Sequence, residues 1–144
     1  MKDKRGFSLI ELMIVVAVIG VIAAFAVPNL VKSKGAAREA AAISAVRSLV
    51  NAQVTYISVR NSGTFAADLS VLEVAGLIDS VLASGTTDAY SISVSGDSTG
   101  FEINARPLGY GSTAIRSFYS DESAVIRYNT ADAPATAASP GLGQ

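Results

Sequence analysis

Residues 7–31 read FSLIELMIVVAVIGVIAAFAVPNLV, and the twenty residues from Leu12 to Val31 carry no formal charge. An α-helix needs about 20 apolar residues to cross a hydrocarbon core ~30 Å thick, so the stretch is long enough to span a bilayer. It follows the hexapeptide MKDKRG, where Lys2, Lys4 and Arg5 outnumber Asp3. Basic flanks stay cytoplasmic, which places everything beyond Val31 on the far side of the membrane. Three features set the run apart from a plain anchor. Gly6 stands directly before Phe7, Glu11 sits inside the apolar run, and Gly20 and Pro28 interrupt its second half. An acid at mid-span costs about 2.5–3.5 kcal/mol on insertion scales, so Glu11 is expected to have a partner. Pro28 has no amide hydrogen and crowds the carbonyl of Ala24, and Gly20 is a poor helix former. A kink or local loss of helix is expected between them; the alternative is that Pro28 marks the membrane exit, with Asn29 in water.

A second reading of the same residues is a secretory signal. A basic start, an apolar centre and Ala24-Phe25-Ala26 compose an A-x-A cleavage site, after which a soluble chain would begin at Val27. Glu11 inside the apolar segment, and the length of that segment, argue against it.

The segment KRGFSLIELMIVVAVIGVIAAFAVPN, residues 4–29, resembles the amino-terminal signature of type IV pilins and type II secretion pseudopilins. The resemblance implies a chain held in the bacterial inner membrane with its amino terminus cytoplasmic. A prepilin peptidase would cut between Gly6 and Phe7 and methylate the new amine of Phe7. Glu11 would be the assembly glutamate, paired in a filament with the amine of a neighbour's Phe7, and the stretch between Gly20 and Pro28 would give way on assembly. Implied partners are further copies of the chain, related minor pilins, the prepilin peptidase, and an inner-membrane assembly platform with its ATPase. Ser8 stands where many members have Thr.

Composition narrows the rest. The 144 residues hold no Cys and no His, which excludes disulfides, thiolate chemistry and imidazole catalysis; the disulfide that closes many pilin domains has no counterpart here. The net charge of −1 becomes −3 once residues 1–6, with three positive groups and one negative, are removed. Neither value fits a nucleic-acid surface. No nucleophile-and-base pair, phosphate loop or transition-metal spacing is present, so neither an enzyme nor a cofactor is expected.

Downstream, residues 32–62 keep a helical rhythm. Ile43, Val46, Val50, Val54 and Ile57 recur at three- and four-residue steps against Arg47, Asn51, Thr55 and Ser58, predicting one face packed on a domain. Ala36, Ala37, Ala40, Ala41 and Ala42 make the first part slim, and Asn61-Ser62-Gly63 signals a stop. Short helical turns are expected at 70–75 and 78–83. Alternation then takes over: Tyr90, Ile92 and Val94, a turn at 96–100, and Phe101, Ile103 and Ala105 predict a β-hairpin with one buried face, closed by Pro107. A second hairpin is expected from 115–119 and 125–128, turning at 120–123. The aromatic set Tyr90, Phe101, Phe118, Tyr119 and Tyr128 is read as core rather than as an adhesive patch. Asp121 and Glu122, with Asp132 nearby in sequence, are turn acids rather than a cation site, and no metal is assigned. Residues 130–144, TADAPATAASPGLGQ, are poor in large apolar residues and are expected to form a flexible tail.

The chain therefore divides into a leader 1–6, an apolar half-helix 7–31, an amphipathic half-helix 32–62, a globular region 63–129 and a tail 130–144. The fold class is α+β, a long helix with a small antiparallel sheet over its second half. A helix bare of its own domain needs lipid or other copies of itself. That condition supports a structural subunit of a type IV pilus-like filament, stored in the inner membrane and then assembled into a periplasmic or extracellular filament. A secretion pseudopilin and, from another class, a tethered or secreted periplasmic binding module are the alternatives.

Overall fold

The computed structural model describes residues 6–60 and 63–143. Its elements are α1 (Leu9–Arg60), α2 (Leu69–Val74), α3 (Ser80–Ala83), β1 (Tyr90–Gly96), β2 (Phe101–Pro107), β3 (Ser117–Asp121) and β4 (Arg127–Asn129). The four strands form one antiparallel meander in the order β1-β2-β3-β4. Contacts divide the chain into two units, one up to Lys34 and one from Gly35 onward.

In the first unit every described residue from Gly6 to Lys34 is exposed. The helix is continuous through Gly20 and Pro28; the expected loss of helix there is absent from the single chain. Proline removes one intrahelical bond, and the turns on either side hold the α conformation.

In the second unit α1 buries Glu39, Ala42, Val46, Leu49, Val50, Ala52 and Gln53. The centre of that face, residues 39, 42, 46, 49 and 53, steps by three and four, but it is rotated from the face read in the sequence. Val46 and Val50 are buried as expected, whereas Val54 is half exposed. The reason is that the face ends in two polar residues. Gln53 is fully buried; its amide nitrogen donates to the Ala66 carbonyl at 2.9 Å and its oxygen accepts from the Ala66 amide at 2.8 Å. Ala66 is thereby paired as if with a neighbouring strand, and the chain after α1 is pinned back on the helix. At the other end Glu39 accepts from Arg116 and from the Ile115 amide. From Glu39 to Gln53 a helix rises about 21 Å, close to the roughly 23 Å of a seven-residue strand. The sheet fits that span. Asp88, just before β1, pairs with Arg38, and Gly96, its last residue, lies so near the Ala66 carbonyl that a Cβ would collide with it.

The first hairpin forms where the alternation places it, with register from Tyr90 opposite Pro107 to Gly96 opposite Phe101. Tyr90, Ile92 and Val94 on β1 and Phe101, Ile103 and Ala105 on β2 face the core. Its turn is held by Asp97, whose Oδ1 accepts from the Thr99 amide and hydroxyl and the Gly100 amide; these bonds, that from the Thr99 hydroxyl first, hold the carboxyl below the usual range. Asp68 and Asp79 cap α2 and α3 in the same manner. The second hairpin differs from expectation. β3 extends to Asp121 because Ser120 and Asp121 are still paired to β2, and the turn moves on to Ala124, at φ 57°.

The largest departure is at the carboxy terminus. The segment expected to be a flexible tail is laid against the sheet. Tyr128 donates to Pro140, Leu142 donates to Ile126, and Arg127 stands opposite Gly141 in an antiparallel bridge. The Arg127 guanidinium reaches the Ser139 carbonyl and the Ser117 hydroxyl the Ala133 carbonyl. Ala135 is buried and Leu142 packs on the core. β3 consequently has both faces covered: Phe118 and Ser120 inside, Ser117 and Tyr119 outside, all buried. Small residues fit here because the backbone approaches closely, and backbone hydrogen bonds replace side-chain burial.

Candidate functional site: the exposed amino-terminal helix

Gly6 and Phe7 precede α1 outside any regular element, and Phe7 is 75% exposed. A Cβ on Gly6 would meet nothing within 4 Å, and its φ lies outside the left-handed region. Nothing in the described fold requires glycine at position 6. The same holds for Gly20, which also faces open space although glycine costs a helix interior about 1 kcal/mol relative to alanine.

Ser8 and Glu11 explain each other. Ser8 directly precedes the first helical residue, Leu9, and its amide donates to the Glu11 carboxylate at 2.9 Å. The Leu12 amide donates to the Ser8 carbonyl at 3.3 Å. This is the Ser-x-x-Glu arrangement, in which the acid reaches back to an orphan amide at the helix start, with the positive end of the helix dipole beside it. In the uncut chain Glu11 therefore has a partner. Its carboxylate lies one residue from the amine that a cut after Gly6 would create. Lys2, Lys4 and Arg5 of the leader, and Asn61 and Ser62 of the helix stop, lie outside the described residues.

From Phe7 to Val31 large apolar side chains project on all sides of the helix: Leu9, Ile10, Leu12, Met13, Ile14, Val16, Ile19, Ile22, Phe25 and Leu30 are all more than half exposed. A helix apolar all round is stable only when surrounded by apolar matter. Among the described residues one helix is long and apolar enough to cross a membrane, and the window that qualifies has no residue buried by the rest of the chain.

The second unit offers less chemistry. Its polar centre is Glu39, 6% exposed, which takes Arg116 Nε at 2.7 Å and a terminal guanidinium nitrogen at 2.6 Å on one oxygen. Arg116 also lies over the rings of Phe118 and Tyr128, and its carbonyl accepts from the Tyr90 hydroxyl at 2.7 Å. Burial, followed by the Glu39 charge, pushes the Tyr90 phenol up. Every strong contact is internal, so the cluster ties helix to sheet. Neither Glu39 nor Gln53 was read from the sequence; the available signal was their place in the three-and-four spacing of the buried face, where a charged or amide side chain is admitted only with partners.

Tyr90, Phe101, Phe118 and Tyr119 are buried, with Tyr90 and Phe118 ring centroids 5.8 Å apart. Asp132 does not join Asp121 and Glu122: it pairs with Arg106 at 3.8 Å, toward the other end of β2, while Asp121 caps its own turn through Ser123. No group of three or more acids able to hold a metal occurs among the described residues.

Residues 1–27 match the family model described as the prokaryotic N-terminal methylation motif. The chain is similar to the type IV major pilin protein PilA of Myxococcus xanthus, 46% identical over 54 residues, which are 38% of this chain and 24% of the relative. It is similar to the type II secretion system core protein G of Vibrio cholerae, 39% identical over 56 residues, 39% of this chain and 38% of the relative. The type IV wide pilus major component PilA4 of Thermus thermophilus is 36% identical over 64 residues, 44% of this chain and 49% of the relative. The matched segment thus spans less than half the length of each of these relatives.

Proposed function

We propose that this chain is the structural subunit of a type IV pilus-like filament, without enzymatic activity of its own. The observation that carries the reading is the bare apolar half of α1, exposed throughout and capped at its start by the Ser8–Glu11 pair. In the inner membrane lipid covers it; in a polymer other copies do. A prepilin peptidase cuts between Gly6 and Phe7, an exposed bond ahead of the helix, and the amine of Phe7 is methylated. Assembly then offers Glu11 a stronger partner than the Ser8 amide, because a neighbour's Phe7 amine is a full cation. The segment between Gly20 and Pro28, short of one hydrogen bond and lacking a side chain at Gly20, is where the helix gives way in the filament. Assembly draws on the prepilin peptidase, a membrane platform with its ATPase, and minor pilins that share the same helix.

The similarity to core protein G of Vibrio cholerae and of Escherichia coli supports a second reading, a subunit of a type II secretion pseudopilus. Filaments in sheared surface material identify a pilus. Retention of secreted proteins in a deletion strain, with the subunit confined to the envelope, identifies the secretion system.

The test of the main reading is the intact mass and amino-terminal sequence of the mature protein, followed by Glu11→Ala. A chain beginning at methylated Phe7 is expected. Glu11→Ala is expected to leave a processed, membrane-held subunit and no filaments. A mature chain beginning at Val27, or filaments of normal yield from Glu11→Ala, refutes the assembly mechanism.

A further inference from the structure

The end of the sheet nearest Arg38 carries apolar side chains that the core does not use. On the connection between β2 and β3, Leu108 is 58%, Tyr110 40% and Ile115 53% exposed. The connection itself is held firmly. Arg38 donates to the Thr113 carbonyl at 3.4 Å, the Ile115 amide to Glu39 at 3.3 Å, and the Gly111 amide to the Ala114 carbonyl at 2.9 Å. The Tyr110 hydroxyl donates to the Thr130 carbonyl, while the side chain stays partly exposed. Three apolar groups are therefore displayed by a framework that costs hydrogen bonds to build, and the hydrophobic core of this unit receives none of them.

Their place along the chain points to what covers them. Arg38 and Glu39, to which this connection is bonded, follow Val31 by seven and eight residues. A helical connection of that length spans about 10–12 Å, and even a fully extended one no more than about 28 Å. Chain length alone bounds how far Arg38 and Glu39 lie from the point where the apolar helix leaves the hydrocarbon, and each leaflet adds an interfacial layer of about 5–8 Å beyond that core. The globular unit's charges at this end are paired, Arg38 with Asp88 and Arg106 with Asp132, while Lys32 and Lys34 lie on the helix between Val31 and Arg38. The acids Asp97, Glu102, Asp121 and Glu122 instead line a recess at the opposite end of the strands. Repulsion from an anionic surface is thus kept away from the tethered end.

We propose that the connection from Leu108 to Ile115 is a membrane-surface foot, which seats the globular unit on the lipid headgroup and upper acyl region while the subunit is stored in the bilayer. The inference rests on the inner-membrane reading above. Leu108, the ring of Tyr110 and Ile115 enter the interface, where apolar and amphipathic side chains are at home. Because the globular unit's own charges at this end are paired, apolar insertion carries its contact, and Lys32 and Lys34 add attraction to anionic headgroups.

The chain contains no Trp, so a single introduced one reports only its own surroundings. Full-length Ile115→Trp, Val125→Trp and Phe25→Trp are reconstituted in phosphatidylcholine nanodiscs with acyl chains brominated near the glycerol. All three positions are exposed, and native folding is checked by near-ultraviolet circular dichroism. Ile115→Trp is expected to emit further to the blue than Val125→Trp and to lose emission to the brominated lipid, as Phe25→Trp does inside the bilayer, while Val125→Trp, beside the acidic end, is unaffected. If Phe25→Trp is quenched and Ile115→Trp behaves like Val125→Trp, the foot is refuted and membrane storage stands. If Phe25→Trp is not quenched, the membrane reading itself fails and the foot with it. An Ile115→Trp probe that is wet in nanodiscs and becomes shielded only in polymer assigns this surface to a second copy, and also overturns the proposal.

Discussion

Replacing Gln53 by Leu tests whether the clamp on Ala66 holds the globular unit closed. Leucine is close in volume and opens little cavity, so the change isolates the hydrogen bonds. The native amide makes two, at 2.9 and 2.8 Å, to the carbonyl and amide of Ala66; Gln53 and Ala66 are 0% and 1% exposed. In Gln53→Leu both backbone groups of Ala66 remain buried without a partner, at about 1–3 kcal/mol each. Relief from burying the glutamine amide offsets part of this, leaving an expected loss of about 2–4 kcal/mol. Against a typical total of about 5–15 kcal/mol for a domain, such a loss is large. Urea denaturation in detergent, followed by near-ultraviolet circular dichroism of the buried tyrosines, reports the globular unit without interference from the apolar helix. A loss below about 1 kcal/mol would mean that Ala66 finds other partners or that water reaches it, and the clamp is then not what positions the loop.

Three further outcomes follow from the same contacts. Removing residues 133–144 should uncover the outer face of β3 and the edge of β4, lowering stability by about 2–4 kcal/mol through lost burial at Ala135 and Leu142 and lost backbone bonds; limited proteolysis and thermal melts of the full and shortened chains check this, and unchanged melts would return the segment to a loose tail. Burial, followed by the charge of Glu102, pushes the Tyr119 phenol up to about 12, above its ordinary value near 10. Its contribution to stability is then complete below pH 10 and lost as pH rises toward 12; tyrosinate absorbance of wild type and Tyr119→Phe should differ in that window, and identical titrations would refute it. Gly96→Ala should cost about 1–3 kcal/mol, because the added Cβ meets the carbonyl oxygen of Ala66 and one of two backbones must move; a neutral effect in the same melt would show that the two segments lie farther apart.

Much of the candidate site was legible because it is local. Helical spanning length, the basic flank and the places of Gly6, Phe7 and Glu11 are properties of contiguous residues, and the first hairpin announces itself by alternation and a turn rich in Gly and Asp. The rotated face of α1 was not legible. Glu39 and Gln53 read as solvent-facing by type, and only the arrival of Arg116, from 77 residues away, and of the Ala66 backbone makes their burial affordable. The carboxy-terminal segment departs from its composition for a related reason: Ala, Pro and Gly promise little burial, but hydrogen bonds from their backbone to β4 depend on a strand edge that no composition reveals.

What the sequence by itself determined is the apolar segment and its processing-like entrance, since a run of twenty uncharged residues needs lipid or its own copies however the rest folds. The tertiary structure alone decided which residues of α1 face the sheet, where the carboxy terminus lies and which end of the sheet displays Leu108, Tyr110 and Ile115. These depend on pairings between residues distant in the chain, and a pairing energy belongs to both partners at once, so neither segment carries it alone.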